Sequence, residues 1–157
     1  MSEAPAMATA PPADATDLQV LALICERSVP LDDLMDRDNR LRGAEHVYVI
    51  RFPCSGMIKP SLAQIALDEG WDGVLVVGCA VGDCHFREGN LWARERFRGD
   101  RAPNKFRRMD QRRVGLVWRA ASEADEFLKE VADFTRMLRE LPLNVRTTDG
   151  KGSKKKR

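Results

Sequence analysis

Four short apolar runs, separated by stretches with helical spacing, place the strongest constraint on the fold of this chain. LQVLALIC (Leu18–Cys25) and DGVLVVGC (Asp72–Cys79) are almost wholly apolar, which is typical of strands buried on both faces. EHVYVIRF (Glu45–Phe52) and RVGLVWRA (Arg113–Ala120) are rich in β-branched and aromatic residues. The sequence therefore predicts four strands, and each of the three segments that connect them is long enough to hold a helix.

Those connections and the segment after the last strand carry helical patterns. A short helix is predicted over PLDDLMDRDNRL, a second over KPSLAQIALDEG and a third from about Glu88. Ser122 with Asp125 resembles a capping box, and an apolar stripe follows at Phe127, Val131, Phe134, Leu138 and Leu141. Alternating strands and helices predict a three-layer α/β fold, in which a mostly parallel four-stranded sheet carries helices on both faces, as in flavodoxin-like and Rossmann-like proteins.

The length and composition suit one globular domain between two tails. We expect a disordered tail over residues 1–16, a single α/β domain over 17–143 and a basic tail over 144–157. Lys plus Arg is 26 against 24 for Asp plus Glu, so the charge balance gives no reason to expect nucleic-acid binding. The sequence shows neither a transmembrane run nor a signal-peptide pattern, which predicts a cytoplasmic location.

The four cysteines follow the predicted strands. Cys25 ends the first strand, Cys54 lies just beyond the second, Cys79 ends the third, and Cys84 lies in the loop that follows. Because the carboxyl ends of parallel strands share one edge of a sheet, where open α/β sheets bind ligands, we expect the four thiols to converge there. In a reducing cytoplasm such cysteines are metal ligands, redox thiols or core residues rather than disulfides.

Four thiolates at one site suit a tetrahedral zinc ion or a [2Fe–2S] cluster. The chain has no CxxC pair of the kind that structural zinc sites use, and Cys79 and Cys84 have a spacing found in plant-type ferredoxins. Small residues flank these cysteines and would let backbone N–H groups approach a cluster: Ser55, Gly56, Gly78 and Gly82.

Three segments carry a resemblance to a known family. FPCSGMIKP, EGWDGVLVVGC and GDCHFREGN, in this order and spacing, resemble the delta subunit family of methyl-viologen-reducing hydrogenase, over roughly Val47 to Leu141. The resemblance implies a small electron-transfer subunit, rather than a stand-alone enzyme, that carries one [2Fe–2S] cluster. It also implies partners: a hydrogenase or formate dehydrogenase on one side and a heterodisulfide-reductase-like flavoprotein on the other.

The chain departs from the family pattern at its first cysteine. The family usually has two nearby cysteines and a tryptophan there, whereas LICERSVPLDD carries Cys25 alone, and Ala80–Val81 replaces a family histidine–proline. Two other interpretations therefore stay open: an accessory subunit without a cluster, and a thiol redox protein that uses Cys79 and Cys84. The family also carries a histidine at the position of His85. This implies that His85 binds the metal or donates a hydrogen bond to the cluster; the alternative is a structural hydrogen bond within the loop.

A basic segment between Arg94 and Arg113 holds nine Lys and Arg residues against three acidic ones, with Trp92, Phe97 and Phe106 interleaved. Charge complementarity of this kind accelerates encounter between redox proteins. The segment is therefore predicted as a docking surface for an acidic partner, with a solvated helix face as the alternative.

Overall fold

A five-stranded sheet forms the centre of the protein. The computed structural model describes residues 18–102, 110–142 and 144, so the predicted terminal tails lie outside the described residues apart from Asn144. The strands are β1 (Val20–Cys25), β2 (Arg40–Leu41), β3 (Ala44–Phe52), β4 (Gly73–Gly78) and β5 (Val114–Trp118), in the spatial order β2-β3-β1-β4-β5. The four predicted strands are mutually parallel, and β2 is an additional antiparallel strand at one edge.

The edge strand replaces part of a predicted helix. Helix α1 covers only Leu31–Leu34, and Met35 is extended and forms an isolated bridge with Leu41. The Asp36 carboxylate accepts the backbone N–H groups of Asp38 (2.8 Å) and Arg40 (3.0 Å). Such local side-chain acceptors favour a turn over a continuing helix. The chain therefore reverses after Asp36 and returns as β2, so the helix predicted over this whole stretch is wrong beyond its first turn.

Helices cover both faces of the sheet and make three layers. Besides α1, they are α2 (Pro60–Asp68), α3 (Gly89–Arg98) and α4 (Ala124–Arg139). Successive side chains of β1 alternate between the faces, as a strand requires. Val20, Ala22 and Ile24 pack in the core cluster that includes residues of α1 and α4, whereas Leu21 and Leu23 pack with residues of α2 and α3. The predicted α/β architecture is confirmed.

Helix α4 follows its predicted stripe but not its predicted cap. Phe127, Val131, Phe134 and Leu138 are buried, and Leu141 packs against the same core cluster. A 3₁₀ turn over Ala121–Glu123 precedes the helix, and the Glu123 carboxylate accepts the backbone N–H of Ala120 at 2.8 Å. Alanine has no side-chain oxygen to complete the reciprocal bond. The capping box predicted at Ser122 is therefore wrong, and the chain uses half of one that begins two residues earlier.

Buried Asp72 joins distant parts of the chain at the amino end of the parallel strands. Its carboxylate accepts the backbone N–H groups of Gln19 and Asn144, each at 2.8 Å. Its carbonyl accepts a hydrogen bond from the guanidinium of buried Arg113 at 2.9 Å, and the same guanidinium donates to the carbonyl of Pro142. The entries to β1, β4 and β5 and the segment after α4 are thus held together at one point. No helix within the described ranges has the length and apolar character needed to cross a membrane.

Candidate metal centre

The point where the strand order reverses holds a pair of cysteines whose sulfur atoms are in contact. Within the sheet, β3 lies next to β1 on one edge of that strand, and β4, which follows β3 in sequence, lies next to β1 on its other edge. The space beyond the carboxyl ends of β1 and β4 is therefore the topological switch point, where open α/β sheets bind ligands. Cys25 is the last residue of β1 and Cys79 directly follows β4, so the parallel register of the two strands brings their Sγ atoms to 3.8 Å.

Cys54 and Cys84 form a second pair beside the first. Cys54 caps the 3₁₀ helix Ser55–Met57, and its Sγ accepts the backbone N–H of Gly56 at 3.4 Å. Cys84 lies in the loop between β4 and α3. A Cβ atom built on Gly89, the first residue of α3, would lie 2.2 Å from the Cys54 Sγ and 3.5 Å from the Cys84 Sγ. The absence of a side chain at Gly89 therefore leaves the room in which these two thiols meet.

Burial disfavours the thiolate form of Cys54 and Cys79. It raises the pKa of Cys79 to about 12, helped by the neighbouring Cys25 thiol and opposed by the backbone N–H of His85. Burial also raises the pKa of Cys54, and Cys84 and Cys25 add to that rise. Cys25 and Cys84 thus contribute to the raised pKa of both Cys54 and Cys79, so all four cysteines lie near one another. Cys25, Cys54 and Cys79 are buried, and Cys84 is partly exposed.

The small residues predicted around the cysteines have different roles. Gly56 supplies an N–H to the Cys54 sulfur, and it packs so closely on Gly89 that a Cβ at Gly56 would lie 2.9 Å from the Gly89 Cα. A Cβ at Gly78 would instead meet the Trp118 ring at 2.4 Å. Gly82 has a φ of +85° in an exposed turn, and a Cβ there would meet nothing within 4 Å. Of the three glycines, Gly56 is thus the one that contacts a thiol.

Ser55 and His85 are the remaining predicted site residues. Ser55 is buried, and within the described residues its Oγ has no hydrogen-bond partner. The His85 ring is exposed and packs edge-on against the Phe86 ring, with 4.8 Å between their centroids. It is the His85 backbone N–H, rather than the imidazole, that acts on the Cys79 sulfur.

Two positioning residues escaped the sequence analysis. Buried Asn90 donates from its side-chain amide to the carbonyls of Cys79 and Ala80, each at 3.0 Å, and so fixes the backbone that carries Cys79. Gly89 provides the space described above. Both residues end the segment GDCHFREGN and begin helix α3. A glycine at the predicted start of a helix was the sequence signal that could have indicated them.

The basic segment is only partly a surface. Residues 103–109 lie outside the described residues. Arg113 is buried and bound to backbone carbonyls, which corrects its assignment to a docking surface. Arg96 donates to the carbonyl of Gly56 at 2.5 Å, next to the cysteines. Arg101 and Arg112 form ion pairs with Glu95 and Asp110. Several of these charges therefore stabilise local structure.

Within the described ranges, no three His, Cys, Asp or Glu side chains surround one point closely enough to hold a single metal ion. The thiols lie instead as two pairs, Cys25 with Cys79 and Cys54 with Cys84.

The comparisons with known proteins agree with the resemblance noted in the sequence. An iron–sulfur subunit of the F420-non-reducing hydrogenase from Archaeoglobus profundus is 39% identical over 95 residues, covering 60% of this chain and 69% of the relative. The vhu iron–sulfur subunit of the same class of hydrogenase, from Methanocaldococcus jannaschii, is 31% identical over 106 residues, covering 68% of this chain and 79% of the relative.

A third relative is much longer. It is a subunit of the ferredoxin/F420H2-dependent CoB-CoM heterodisulfide reductase from Methanosarcina acetivorans, 33% identical over 103 residues, which are 66% of this chain but 13% of the relative. The family model described as methyl-viologen-reducing hydrogenase, delta subunit, matches residues 20–142, which span all five strands and every cysteine. The chain therefore belongs to the delta subunit family of methyl-viologen-reducing hydrogenase.

Proposed function

We propose that this chain is a cytoplasmic electron-transfer subunit that holds one [2Fe–2S] cluster through Cys25, Cys54, Cys79 and Cys84. It relays electrons between a hydrogenase or formate dehydrogenase and a heterodisulfide-reductase-like flavoprotein. The observation that carries the proposal is the meeting of four thiols, as two pairs, at the switch point of the sheet. The relatives named as iron–sulfur subunits of hydrogenases and as part of a heterodisulfide reductase support the same interpretation.

The spacing of the thiols fits a cluster of two metal ions. Bonds of about 2.3 Å from a tetrahedral metal ion to two sulfurs put those sulfurs about 3.8 Å apart. The Sγ atoms of Cys25 and Cys79 are 3.8 Å apart. Because a [2Fe–2S] cluster takes four cysteine ligands, two on each iron, two thiol pairs suit it better than a single zinc ion.

The backbone around the thiols suits a negatively charged sulfur centre. When bound, the cluster supplies one-electron chemistry. The N–H groups of Gly56 and His85 act on the sulfurs of Cys54 and Cys79, and such hydrogen bonds raise the reduction potential of iron–sulfur sites. Burial of three cysteines excludes water, while partly exposed Cys84 offers a route for electrons to a partner. Arg94 and Arg98 of α3 are the described charges that we propose for docking an acidic face of that partner.

A thiol redox function has one observation in its favour, the proximity of the Cys25 and Cys79 sulfurs. Thiol–disulfide exchange needs a thiolate, and reactive cysteines have lowered pKa values in partly exposed, electropositive surroundings. Cys79 is buried and its pKa is raised to about 12, which argues against that role.

Iron and sulfide analysis of anaerobically purified protein tests the proposal. We expect about two iron atoms and two acid-labile sulfides per chain, with visible absorption. Stoichiometric zinc would contradict the cluster assignment. Protein that stays colourless and metal-free after anaerobic reconstitution would support an accessory role without a cluster instead.

Cysteine variants then test the ligand set. Cys25→Ser, Cys54→Ser, Cys79→Ser and Cys84→Ser are each expected to lose the visible spectrum of the cluster, because the chain has four cysteines and no spare ligand. Far-UV circular dichroism provides the control, since the two core clusters do not depend on metal. A variant that keeps the normal spectrum would remove its cysteine from the ligand set.

A further inference from the structure

The hydroxyl of Ser55 is a buried polar group beside the candidate metal centre. Ser55 is only 1% exposed, and within the described residues neither a thiol nor any oxygen or nitrogen atom acts as a hydrogen-bond partner of its Oγ. Buried polar groups nearly always have such partners, because an unpaired one loses the hydrogen bonds that it makes to water. An exception beside a ligand site therefore indicates a partner that binds at that site.

The register of the sheet places this hydroxyl next to Cys25. Ile24 of β1 is paired with Val77 of β4, so Cys25 and Gly78 are neighbours at the carboxyl ends of these parallel strands. Neighbouring residues in register direct their Cβ positions to the same face of a sheet. A Cβ built on Gly78 would lie 2.9 Å from the Ser55 Oγ. The hydroxyl therefore lies on the face that carries the Cys25 side chain, where a side chain at residue 78 would otherwise be.

Ser55 is also adjacent in sequence to one cysteine of the second thiol pair. It directly follows Cys54 and begins the 3₁₀ helix Ser55–Met57. The backbone N–H of Gly56 in the same turn donates to the Cys54 sulfur. Gly78, which the hydroxyl approaches, directly precedes Cys79. The turn that positions the Cys54 thiol thus also holds the hydroxyl at the end of β4.

We propose that the Ser55 hydroxyl donates a hydrogen bond to an inorganic sulfide of the bound cluster. This role depends on the proposed electron-transfer function, because a [2Fe–2S] cluster brings the sulfide to the thiols. Sulfide is negatively charged and accepts hydrogen bonds, and reduction adds a further negative charge to the cluster. The hydroxyl therefore stabilises the reduced cluster more than the oxidised one, which raises the reduction potential.

The reduction potentials of two serine variants test this role. Ser55→Ala removes the hydroxyl, and Ser28→Ala is the matched control. Ser28 is also buried and close to a cysteine, but its hydroxyl already donates to the Cys25 carbonyl at 2.6 Å. Potentiometric titration of the reconstituted protein is expected to show a lower midpoint potential for Ser55→Ala and an unchanged one for Ser28→Ala. The expected fall is about a tenfold change in the ratio of reduced to oxidised cluster, which is about 59 mV for a one-electron couple.

Urea unfolding of the full-length chain without metal gives a second readout. Ser55→Ala is expected not to lower the urea midpoint, because it removes a hydroxyl that has no partner within the described protein. Ser28→Ala is expected to lower the midpoint, since it breaks a hydrogen bond to the Cys25 carbonyl. Equal losses of stability in the two variants would show that the Ser55 hydroxyl is already paired without the cluster, which would overturn the proposal.

Two outcomes of the potentiometric titration would also overturn it. One is an unchanged midpoint potential in Ser55→Ala, and the other is an equal fall in both variants, which would indicate a general loosening around the cysteines. Iron and sulfide contents, measured on the same samples, separate this result from the proposed function. A chain that holds the cluster at a potential independent of Ser55 would retain the electron-transfer proposal and lose this one. A chain that binds no cluster would lose both.

Discussion

The two ends of the parallel strands differ in how their polar and sulfur-containing side chains are paired. At the amino end, the Asp72 carboxylate and carbonyl are satisfied by backbone and guanidinium donors from three other parts of the chain. At the carboxyl end, four thiols converge, two of them with raised pKa values, in space that Gly56 and Gly89 leave open. One end is closed by hydrogen bonds within the protein, whereas the other brings together four thiols that we propose as ligands of an iron–sulfur cluster.

This difference predicts that residues at the two ends of the strands affect different properties of the protein. A residue at the amino end is expected to influence the free energy of unfolding and leave cluster content per folded chain unchanged. A residue beside the thiols is expected to influence cluster content first. Three substitutions test this division.

The largest loss of stability is expected from Asp72→Ala. It leaves the buried N–H of Gln19 and the partly buried N–H of Asn144 without their acceptor, and the loss of both bonds costs about 3 kcal/mol. Urea unfolding measures the loss, with Asp68→Ala as the control because Asp68 is exposed on α2. Iron per folded chain should stay at its unsubstituted value. A marked fall in iron would mean that the two ends are not independent.

The variants Gly89→Ala and Gly73→Ala carry the same substitution at the carboxyl and amino ends of the parallel strands, respectively. The new Cβ at residue 89 would lie 2.2 Å from the Cys54 Sγ, and at residue 73 it would lie 2.4 Å from the Leu138 Cδ1. We expect a several-fold loss of iron for Gly89→Ala. Gly73→Ala should lose about 1–3 kcal/mol of stability through overpacking and keep its iron. Equal iron contents in the two variants would contradict the claim that Gly89 leaves room for the Cys54 and Cys84 thiols.

The smallest effect is expected from Gly82→Ala. The positive φ of Gly82 makes an alanine there less stable by about 1 kcal/mol, but its Cβ would meet nothing within 4 Å. Thermal unfolding should show a small decrease in Tm, and the visible spectrum should not change. Loss of the cluster would show that this turn lies closer to the thiols than the structure places it.

The features that sequence predicted are those set by local pattern. The buried strands and the stripe of α4 follow from periodicity, and the cysteines meet because parallel strands end at the same edge. The extra strand β2 was missed because the spacing of Leu31, Leu34 and Met35 suits a helix, while the turn depends on the Asp36 carboxylate.

Contacts between distant segments were beyond the reach of pattern. Arg113 appears in the sequence as one more charge in a basic stretch, and only tertiary structure shows it buried against Asp72 and Pro142. Asn90 is another example, because its two bonds to the backbone around Cys79 depend on how α3 meets the end of β4. Gly78 and Gly82 were predicted beside a cluster from their position in the sequence, which could not show that Gly78 packs against the Trp118 ring or that Gly82 lies in an exposed turn.

The Asp72 contacts also have a consequence for the order of folding. They join residues 53 and 72 positions apart along the chain, Gln19 and Asn144 to Asp72, so they form only after long loops have closed. Closure of such loops is slow because chain entropy is lost before the contact forms. The carboxylate at the entry to β4 therefore gains its partners only when β1 and the segment after α4 reach it. A collapsed chain with another strand order would bury this carboxylate without its donors, and that cost disfavours such states.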